Sequence, residues 1–276
     1  MQKRGHEVRL LSSTREGRYE GFPVVRDQAS LKAAVTGIEA VVIGHQFPNF
    51  PIERPATHHT FQEVDADGTR HVIDALKAHG QPKRVLYLSG AAVQERMAGR
   101  HPGIDAKLEA EASIQASGIP WTILRPSIVY GPGDHYFSRL AQIIKTGPAV
   151  PVLGDGRTLS APIHVGDLAS AVVAALSDPR GANILLDACG PNTLNTNAIL
   201  DLLMSVLGQR RPIVHLPVGL MNAVAAGAEL LPKPPLTRGL IGFTVFDNTA
   251  HGVNADAALG LTFRGVDAGV REVYGK

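Results

Sequence analysis

The sequence predicts an α/β protein in which a parallel β-sheet is covered by helices on both faces. Short apolar runs of strand length alternate with longer segments whose apolar residues recur with the period of a helix. Residues 40–44 (AVVIG) are apolar throughout, which is typical of a strand covered on both faces. Strands that alternate with helices pair in parallel through right-handed crossovers, so the loops after the strands should meet at one edge of the sheet.

Glycine marks the end of each helix predicted in the first half of the chain. Gly37, Gly80 and Gly118 follow the helical segments by one to three positions, where glycine commonly stops a helix. This order and spacing predict a nucleotide-binding half of Rossmann type, doubly wound. The predicted strands are residues 7–11, 22–26, 40–44, 84–88 and 121–124, and the predicted helices are residues 31–35, 64–79 and 107–115.

Beyond Asp134 the alternation loosens, and the sequence predicts a small, mostly helical carboxyl-terminal lobe. Residues 182–187 are an exception, because this apolar run has the character of a late strand of the sheet. We therefore divide the chain into a Rossmann-like domain, residues 1–127 with 163–188 returning to it, and a small lobe, residues 128–162 and 189–276. Further helices are predicted at residues 136–145, 165–176, 196–208 and 217–231, with at least one more after residue 236.

Composition and charge argue against several classes of function. The net charge is +2 and the Lys and Arg residues form no cluster, so we expect no nucleic-acid partner. The single Cys189 allows no intrachain disulfide and suits a reducing compartment, and residues 1–11 lack the apolar core of a signal peptide. These observations predict a cytoplasmic protein. No apolar run reaches the ~18 residues of a membrane-spanning helix, but the apolar segment 217–231 could lie on a membrane or a protein partner as well as pack inside the lobe.

Several motifs resemble those of the extended and atypical short-chain dehydrogenases/reductases. The tail, with FDN at residues 246–248 and ALGL at 258–261, is similar more specifically to the branch that contains the nucleotide-binding accessory subunit of respiratory complex I. The resemblance implies an NAD(P)-binding Rossmann domain, with a nicotinamide nucleotide as partner, and a small lobe over its edge. The main motifs are VDADGTRHVIDALK at residues 64–77, VLYLSG at 85–90, WTILRPSIVYGPGD at 121–134, GDGR at 154–157 and PIHVGDL at 162–168.

The resemblance places candidate site residues on the nicotinamide side of the cofactor. It implies that Ser89 sets a hydroxyl beside the substrate and that Lys107 binds the ribose hydroxyls, as the two candidate catalytic residues. It also implies that backbone groups from Pro126 to Ile128 face the nicotinamide amide. The alternatives are that Ser89 only caps a turn or helix and that Lys107 is a solvated helix lysine paired with Glu111.

Further candidates lie on the adenosine side of the cofactor. The resemblance places Asp27 near the adenine, with a surface loop as the alternative, and places His45 and Gln46 along the cofactor. Ser13 and Arg15 follow the predicted strand 7–11, which corresponds to the second strand of the family, where an acidic residue would bind the 2′-hydroxyl of NAD. Because these residues are small or basic, they favour a 2′-phosphate, and hence NADP(H) over NAD(H).

The amino terminus departs from the family pattern. The family begins with a strand, a glycine-rich loop and a helix that holds the pyrophosphate. Here residues 1–8 resemble the last turn of that helix running into the second strand, and no G-x-G-x-x-G is found near them. A complete unit would need roughly 20–30 further residues upstream. We therefore expect a sheet that lacks its first strand, in an amino-terminally truncated gene model or a degraded paralogue.

The second departure concerns the proton donor. The family motif is a Tyr, three residues and a Lys, in which the ammonium lowers the pKa of the phenol. Lys107 matches, but position 103 is glycine. The sequence thus predicts an atypical reductase-like NAD(P)(H)-binding protein, with oxidoreductase or epimerase activity on a small organic substrate only if another donor, such as Asp105, or water replaces the Tyr. The alternative is a non-catalytic nucleotide-binding accessory or redox-sensing protein.

Other polar residues suggest different sites only superficially. His164 and Asp167 lie at a strand–helix junction, where Asp167 is expected in the first turn of the helix rather than in catalysis. Arg125 follows a strand and is interpreted equally well as a site residue or as half of a structural ion pair. No histidine or carboxylate recurs at ligand spacing, so we expect no metal site.

Overall fold

The computed structural model describes residues 7–9, 28–47, 52–80, 82–231, 234 and 236–275. The predicted strand 22–26 lies outside these residues. The predicted strand 7–11 is wrong where it can be compared, because residues 7–9 have no regular secondary structure. A strand needs a neighbour for its backbone hydrogen bonds, and among the described residues none pairs with this segment.

Four parallel strands form the central sheet of the described chain, in the order β1-β2-β3-β8. The predicted late strand is confirmed as β8, which pairs with β3 at Thr122 and Ile184. The described strands are β1 (Ala40–Ile43), β2 (Arg84–Leu88), β3 (Trp121–Pro126), β4 (Val129–Tyr130), β5 (Val150–Leu153), β6 (Leu159–Ser160), β7 (Ile163–His164), β8 (Ile184–Ala188), β9 (Leu194–Asn195) and β10 (Ile213–Leu216).

The helices mostly follow the predicted positions, but α3 begins five residues earlier than expected. Pro102 occupies its first turn, and Nδ1 of His101 accepts a hydrogen bond from the Gly103 amide at 3.0 Å, so the helix starts before Lys107. The described helices are α1 (Gln28–Val35), α2 (Gly68–His79), α3 (Pro102–Gln115), α4 (Tyr136–Thr146), α5 (Val165–Ser177), α6 (Thr196–Leu207), α7 (Val218–Ala228), α8 (Arg238–Thr244), α9 (Ala255–Leu259) and α10 (Val266–Tyr274).

Helices cover both faces of the sheet, which confirms the predicted doubly wound, Rossmann-type α/β fold. On one face α1, α2 and α3 bury a core that includes Leu76, Tyr87 and Ile123. On the other face α5 and α9 pack over Leu86 and Leu124. The alternation of side chains along a strand sends neighbours such as Leu86 and Tyr87 into opposite cores. Strand β1 lies at the edge of the described sheet, where Val42 is 39% exposed, so this strand is not covered on both faces as expected.

A third apolar core is contributed mainly by α4, α6 and α10, which lie in the segments predicted to form the small lobe. Phe137 and Leu200 are fully buried there, and the two-stranded parallel sheet of β5 and β10 lies beside them. Helix α7 differs from its neighbours, because Ala225 is its one buried residue. Among the described residues, no helix is both long and apolar enough to cross a membrane.

Candidate functional site

Three neighbouring strands end together at one edge of the sheet. Ile43, Tyr87 and Ile123 lie side by side in register on β1, β2 and β3, so the residues that follow them share that edge. The Ser89 amide continues the ladder by donating to the Leu124 carbonyl at 2.8 Å. Ligands of open α/β sheets bind outside the carboxyl ends of the strands, so this edge is the candidate site.

Lys107 projects from α3 into a buried polar cluster beside this edge. Its Nζ donates to Oδ1 of Asp65 at 2.9 Å and lies 5.5 Å from the centroid of the Tyr87 ring. The side chains of Lys107 and Asp65 are 14% and 1% exposed. The predicted alternative of a pair with Glu111 is therefore wrong, because the helix points Lys107 toward Asp65 instead.

The electrostatics of this cluster keep Lys107 charged. Burial opposes the ammonium, but its interactions with Tyr87 and with the Asp65 carboxylate outweigh this effect, so the pKa of Lys107 is raised. Burial also raises the pKa of Tyr87 to about 12. The phenol is therefore neutral at neutral pH, and Asp65 supplies the compensating negative charge. A lysine has three N–H donors, so the ammonium keeps donors beyond the one that Asp65 accepts.

Asp65 is held by an unusual local backbone. It lies in a π-helical segment, Gln62–Asp67, that runs directly into α2. Its Oδ2 accepts the Phe47 amide at 3.2 Å, and its own carbonyl accepts the Thr69 hydroxyl at 2.6 Å. Single π-helical turns within α-helices occur frequently at functional sites.

An aromatic side chain from elsewhere in the chain packs directly against the position of the missing tyrosine. A Cβ added to Gly103 would lie 3.0 Å from Cδ1 and Cε1 of Phe61. The Phe61 ring in turn packs 4.6 Å from the Phe47 ring and 5.5 Å from the His101 ring, measured between centroids. Phe61 thus fills with hydrocarbon the place beside Gly103, and it carries no proton to transfer.

Ser89 lies directly after β2, as the sequence predicts. Its side chain is buried, and its Oγ has no hydrogen-bond partner among the described residues. A buried hydroxyl without a partner is costly in a folded protein, and a ligand or water normally satisfies it. Asp105, the other candidate donor, is already engaged, since its Oδ1 accepts the Gly99 amide at 2.7 Å.

His45 and Gln46 follow β1 but differ in surroundings. Burial lowers the pKa of His45, so its ring is neutral at neutral pH, and its Nε2 lies 3.4 Å from the Thr69 hydroxyl. Gln46 is exposed. Both stay predicted cofactor contacts.

The turn from Pro126 to Ile128 is fixed by backbone hydrogen bonds. The Pro126 carbonyl accepts the Ala91 amide at 2.8 Å, and the Ile128 carbonyl accepts the Ile163 amide at 3.0 Å. A carbonyl has two lone pairs, so each keeps acceptor capacity for a ligand. Contact with a nicotinamide amide stays a prediction for these residues.

Arg125, His164 and Asp167 make contacts that stabilise the fold. Arg125 binds Glu111 through Nε at 2.9 Å and Nη2 at 2.5 Å, a bidentate ion pair that matches the structural alternative. His164 caps α5 by accepting the Gly166 amide at 3.0 Å, while Asp167 binds the Arg264 guanidinium. Neither arrangement has the geometry of a catalytic pair.

The remaining sequence candidates lie elsewhere. Ser13, Arg15 and Asp27 are outside the described residues, so their roles stay predictions. Over the part of the chain that the structure describes, no group of three or more His, Cys, Asp or Glu side chains is arranged to hold a metal ion.

The sequence analysis missed Asp65, Phe61 and Tyr87. A signal for Asp65 was present, because it shares a helix face with the buried Val72 and Leu76. A carboxylate on an apolar face needs a buried partner. No local signal predicts that Phe61 faces Gly103, since the contact depends on how two helices pack.

Comparison with known proteins decides the family. A family model described as NAD(P)H-binding matches residues 23–179. The chain belongs to this NAD(P)H-binding family. The matched range contains the whole of the edge formed by β1, β2 and β3, together with Lys107. The prediction that a nicotinamide nucleotide is the partner is thereby confirmed.

Curated relatives of this family member confirm the predicted resemblance. The chain is 27% identical over 215 residues to the mitochondrial NADH dehydrogenase (ubiquinone) 1 alpha subcomplex subunit 9 of Arabidopsis thaliana, covering 75% of this chain and 50% of the relative. It is 30% identical over 183 residues to the isoflavone reductase homolog IRL of Zea mays, covering 64% and 53%. The chain spans about half the length of these relatives.

Solved structures confirm the fold of the NAD(P)H-binding chain. The crystal structure of gox2253 superposes with a TM-score of 0.71 at 21% identity, covering 99% of this chain and 90% of that chain. MoeE5 in complex with UDP-glucuronic acid and NAD superposes with a TM-score of 0.67 at 22% identity, covering 90% and 82%. At these identities the likeness establishes the fold alone.

Proposed function

We propose that this NAD(P)H-binding chain acts as a nucleotide-binding accessory or redox-sensing protein rather than as a Tyr-dependent reductase. The observation that carries the proposal is the packing of Phe61 against Gly103, which fills the place of the proton donor with hydrocarbon. Ser89 and Lys107, which lie beside the same edge of the sheet, are the groups that would bind the nucleotide.

The described residues fit the nicotinamide end of the cofactor. The Ser89 hydroxyl, which has no partner among the described residues, and the Lys107 ammonium would hold the ribose and amide groups, and the turn from Pro126 to Ile128 would line the other side. A reduced nucleotide bound there would carry a transferable hydride, and the accessory role proposed here requires binding of the nucleotide but no transfer to a carbonyl compound. Asp65 would hold the Lys107 ammonium in position to bind the nucleotide and would balance its charge.

The finer identity of the nucleotide and the location of the protein are also proposals. Ser13 and Arg15 favour NADP(H), because a basic residue binds a 2′-phosphate and no acidic residue competes with it. Replacing Arg15 with Asp should shift the affinity from NADPH toward NADH. A cytoplasmic location is supported by the single cysteine, Cys189, which is free and buried.

A second candidate function is a reductase or epimerase acting on a small organic molecule. It is favoured by the Ser89 hydroxyl, which lacks a hydrogen-bond partner within the described part of the chain and would be able to bind a carbonyl oxygen. Relatives whose names include isoflavone reductase and ceramide reductase differ too much to point to one substrate.

Titration of the full chain with NADPH and NADH, followed by nucleotide fluorescence, tests the proposal. We expect binding without loss of absorbance at the nicotinamide band when aldehydes and ketones are added. Lys107→Met should weaken binding by about tenfold, the equivalent of one charge-assisted hydrogen bond, while Lys83→Met, at a side chain that is 76% exposed, should not. Oxidation of NADPH by any of these carbonyl compounds would favour the second candidate instead.

A further inference from the structure

The ion pair of Lys107 and Asp65 is oriented, with the ammonium nearer the surface than the carboxylate. The Lys107 side chain is 14% exposed, whereas that of Asp65 is 1% exposed. Both carboxylate oxygens of Asp65 are engaged from the inside, since Oδ1 accepts the Lys107 ammonium and Oδ2 accepts the Phe47 amide. A ligand that enters the candidate site from solvent therefore meets the positive end of the pair first.

The ionisable neighbours of Lys107 in the described chain are neutral or paired. Burial raises the pKa of Tyr87 to about 12 and lowers the pKa of His45, so the phenol and the imidazole are both uncharged at neutral pH. Glu111, on the next turn of α3, is bound to Arg125 at 2.5 Å. The ammonium is thus the charge that a ligand would meet beside Lys107, with its balancing carboxylate behind it.

Oxidised and reduced nicotinamide nucleotides differ in charge at the ring that carries the hydride. The oxidised ring is a cation and the reduced ring is neutral, while the ribose, pyrophosphate and adenosine groups are the same. A like charge close by disfavours the cationic form. The proposed function sets the nicotinamide end beside Ser89 and Lys107, and the present inference rests on that function. We propose that the Lys107 ammonium makes this site select the reduced nucleotide over the oxidised one.

The ion pair as a whole sets the size of this selectivity. The ammonium repels the cationic ring, and Asp65, which lies farther in, cancels part of that repulsion. At an effective dielectric constant of about 20, the net repulsion corresponds to a preference of about fivefold for the reduced form. A fall in the ratio of reduced to oxidised nucleotide would then lower the fraction of the chain that carries nucleotide, which is the response that a redox-sensing protein requires.

Isothermal titration calorimetry of the full chain with each nucleotide tests the proposal. NADPH is compared with NADP⁺ and NADH with NAD⁺, so the contribution of the 2′-phosphate cancels within each pair. We expect the dissociation constant of the oxidised form to exceed that of the reduced form by about fivefold in both pairs. Equal affinities, or tighter binding of the oxidised form, would overturn this inference and leave the nucleotide-binding function in place. Absence of binding by all four nucleotides would overturn both.

Variants of the ion pair should change the preference in opposite directions. Asp65→Asn leaves the ammonium without its balancing charge and should raise the preference for the reduced form to about tenfold or more. Asp65→Asn/Lys107→Met removes both charges and should make the two dissociation constants equal, and we expect it to fold because no unpaired charge is left. A merely structural role of the pair would weaken the binding of both forms equally and leave their ratio unchanged.

Lys83→Met is the matched control for the loss of a lysine charge. Lys83 lies before β2, at the end of the strand opposite to the candidate site, and its side chain is 76% exposed. This variant should keep the preference of the unchanged protein, because an exposed charge is screened by water and salt. Circular dichroism checks that each variant is folded. A folded double variant that still prefers the reduced form would assign the preference to other groups and overturn the proposal.

Discussion

Nζ of Lys107 lies 2.9 Å from Oδ1 of Asp65, and the two charged groups are buried together. In this arrangement the lysine is fixed by a carboxylate from another helix rather than by a neighbour on its own helix. Removing one member of a buried pair leaves the other charge uncompensated, which is far more destabilising than removing both.

Asp65→Asn should therefore lower the free energy of unfolding by about 3–5 kcal/mol. Asp65→Asn/Lys107→Met should recover much of that loss, because no unpaired charge is left. Denaturant unfolding of the two single variants and the double variant gives the coupling free energy. Strictly additive effects would show that the two groups do not interact.

Gly103→Ala should destabilise the protein, although alanine favours helices. The new methyl group would meet the Phe61 ring at 3.0 Å, and that ring is itself packed against Phe47 and His101. We expect a loss of about 1–2 kcal/mol from overpacking. Gly227→Ala is the matched control, because nothing lies within 4 Å of a Cβ there. Thermal unfolding should show the control stabilised by about 0.5–1 kcal/mol, and a stabilised Gly103→Ala would contradict the contact.

Three buried histidines should make the fold acid-sensitive. Burial lowers the pKa of His45, His101 and His164 from the usual 6.5, so below that pH the unfolded chain binds more protons than the folded chain. Their contribution to stability is fully present above pH 6.5 and is lost as the pH falls toward their folded-state pKa values. Unfolding measured between neutral and mildly acidic pH should show this decline.

Asparagine variants separate titration from helix capping in that experiment. His101 and His164 each accept a backbone amide at 3.0 Å through Nδ1, and an asparagine oxygen can accept the same bond. His101→Asn/His164→Asn should therefore flatten the pH profile, whereas His79→Gln at an exposed position should not. An unchanged profile in the double variant would assign the acid sensitivity to other groups.

Asp187 joins the carboxyl-terminal part of the chain to the central sheet. Its buried Oδ2 accepts the amides of His251 and Gly252 at 2.7 and 2.6 Å. Asp187→Ala should cost about 2–4 kcal/mol, because the two backbone amides lose their charged acceptor. Asp187→Asn keeps one acceptor oxygen and should cost less. Chemical denaturation compares them with Asp155→Ala, at a side chain that is 70% exposed and should be nearly neutral; equal effects of the Ala and Asn variants would argue against the amide bonds.

The alternation of strands and helices could be predicted from the sequence because apolar periodicity is a local property. Strand β2 has the predicted bounds, Arg84–Leu88, and the late strand β8 joins the sheet as expected. The start of α3 was placed too late, since Pro102 and the capping His101 set it rather than the apolar pattern.

The partners of buried charges could not be predicted in the same way. Glu111 is one helical turn from Lys107 in sequence, but it binds Arg125 on β3, and Lys107 turns to Asp65. These choices depend on how helices rotate against the sheet. For the same reason the contact of Phe61 with Gly103 could not be predicted, since it joins residues forty-two positions apart.

The π-helical segment Gln62–Asp67 lets the chain carry one extra residue before α2. A π-helical turn closes i→i+5 hydrogen bonds where an α-helical turn closes i→i+4 bonds, so it holds one residue more. Removing one residue from the segment would restore α-helical winding, while Phe61 and α2 would keep their relative orientation. The side chains inside the segment, Asp65 among them, would be redirected. A change of length here would thus alter the partner of Lys107 without altering the fold, which gives evolution a route for changing this site that bypasses point substitution.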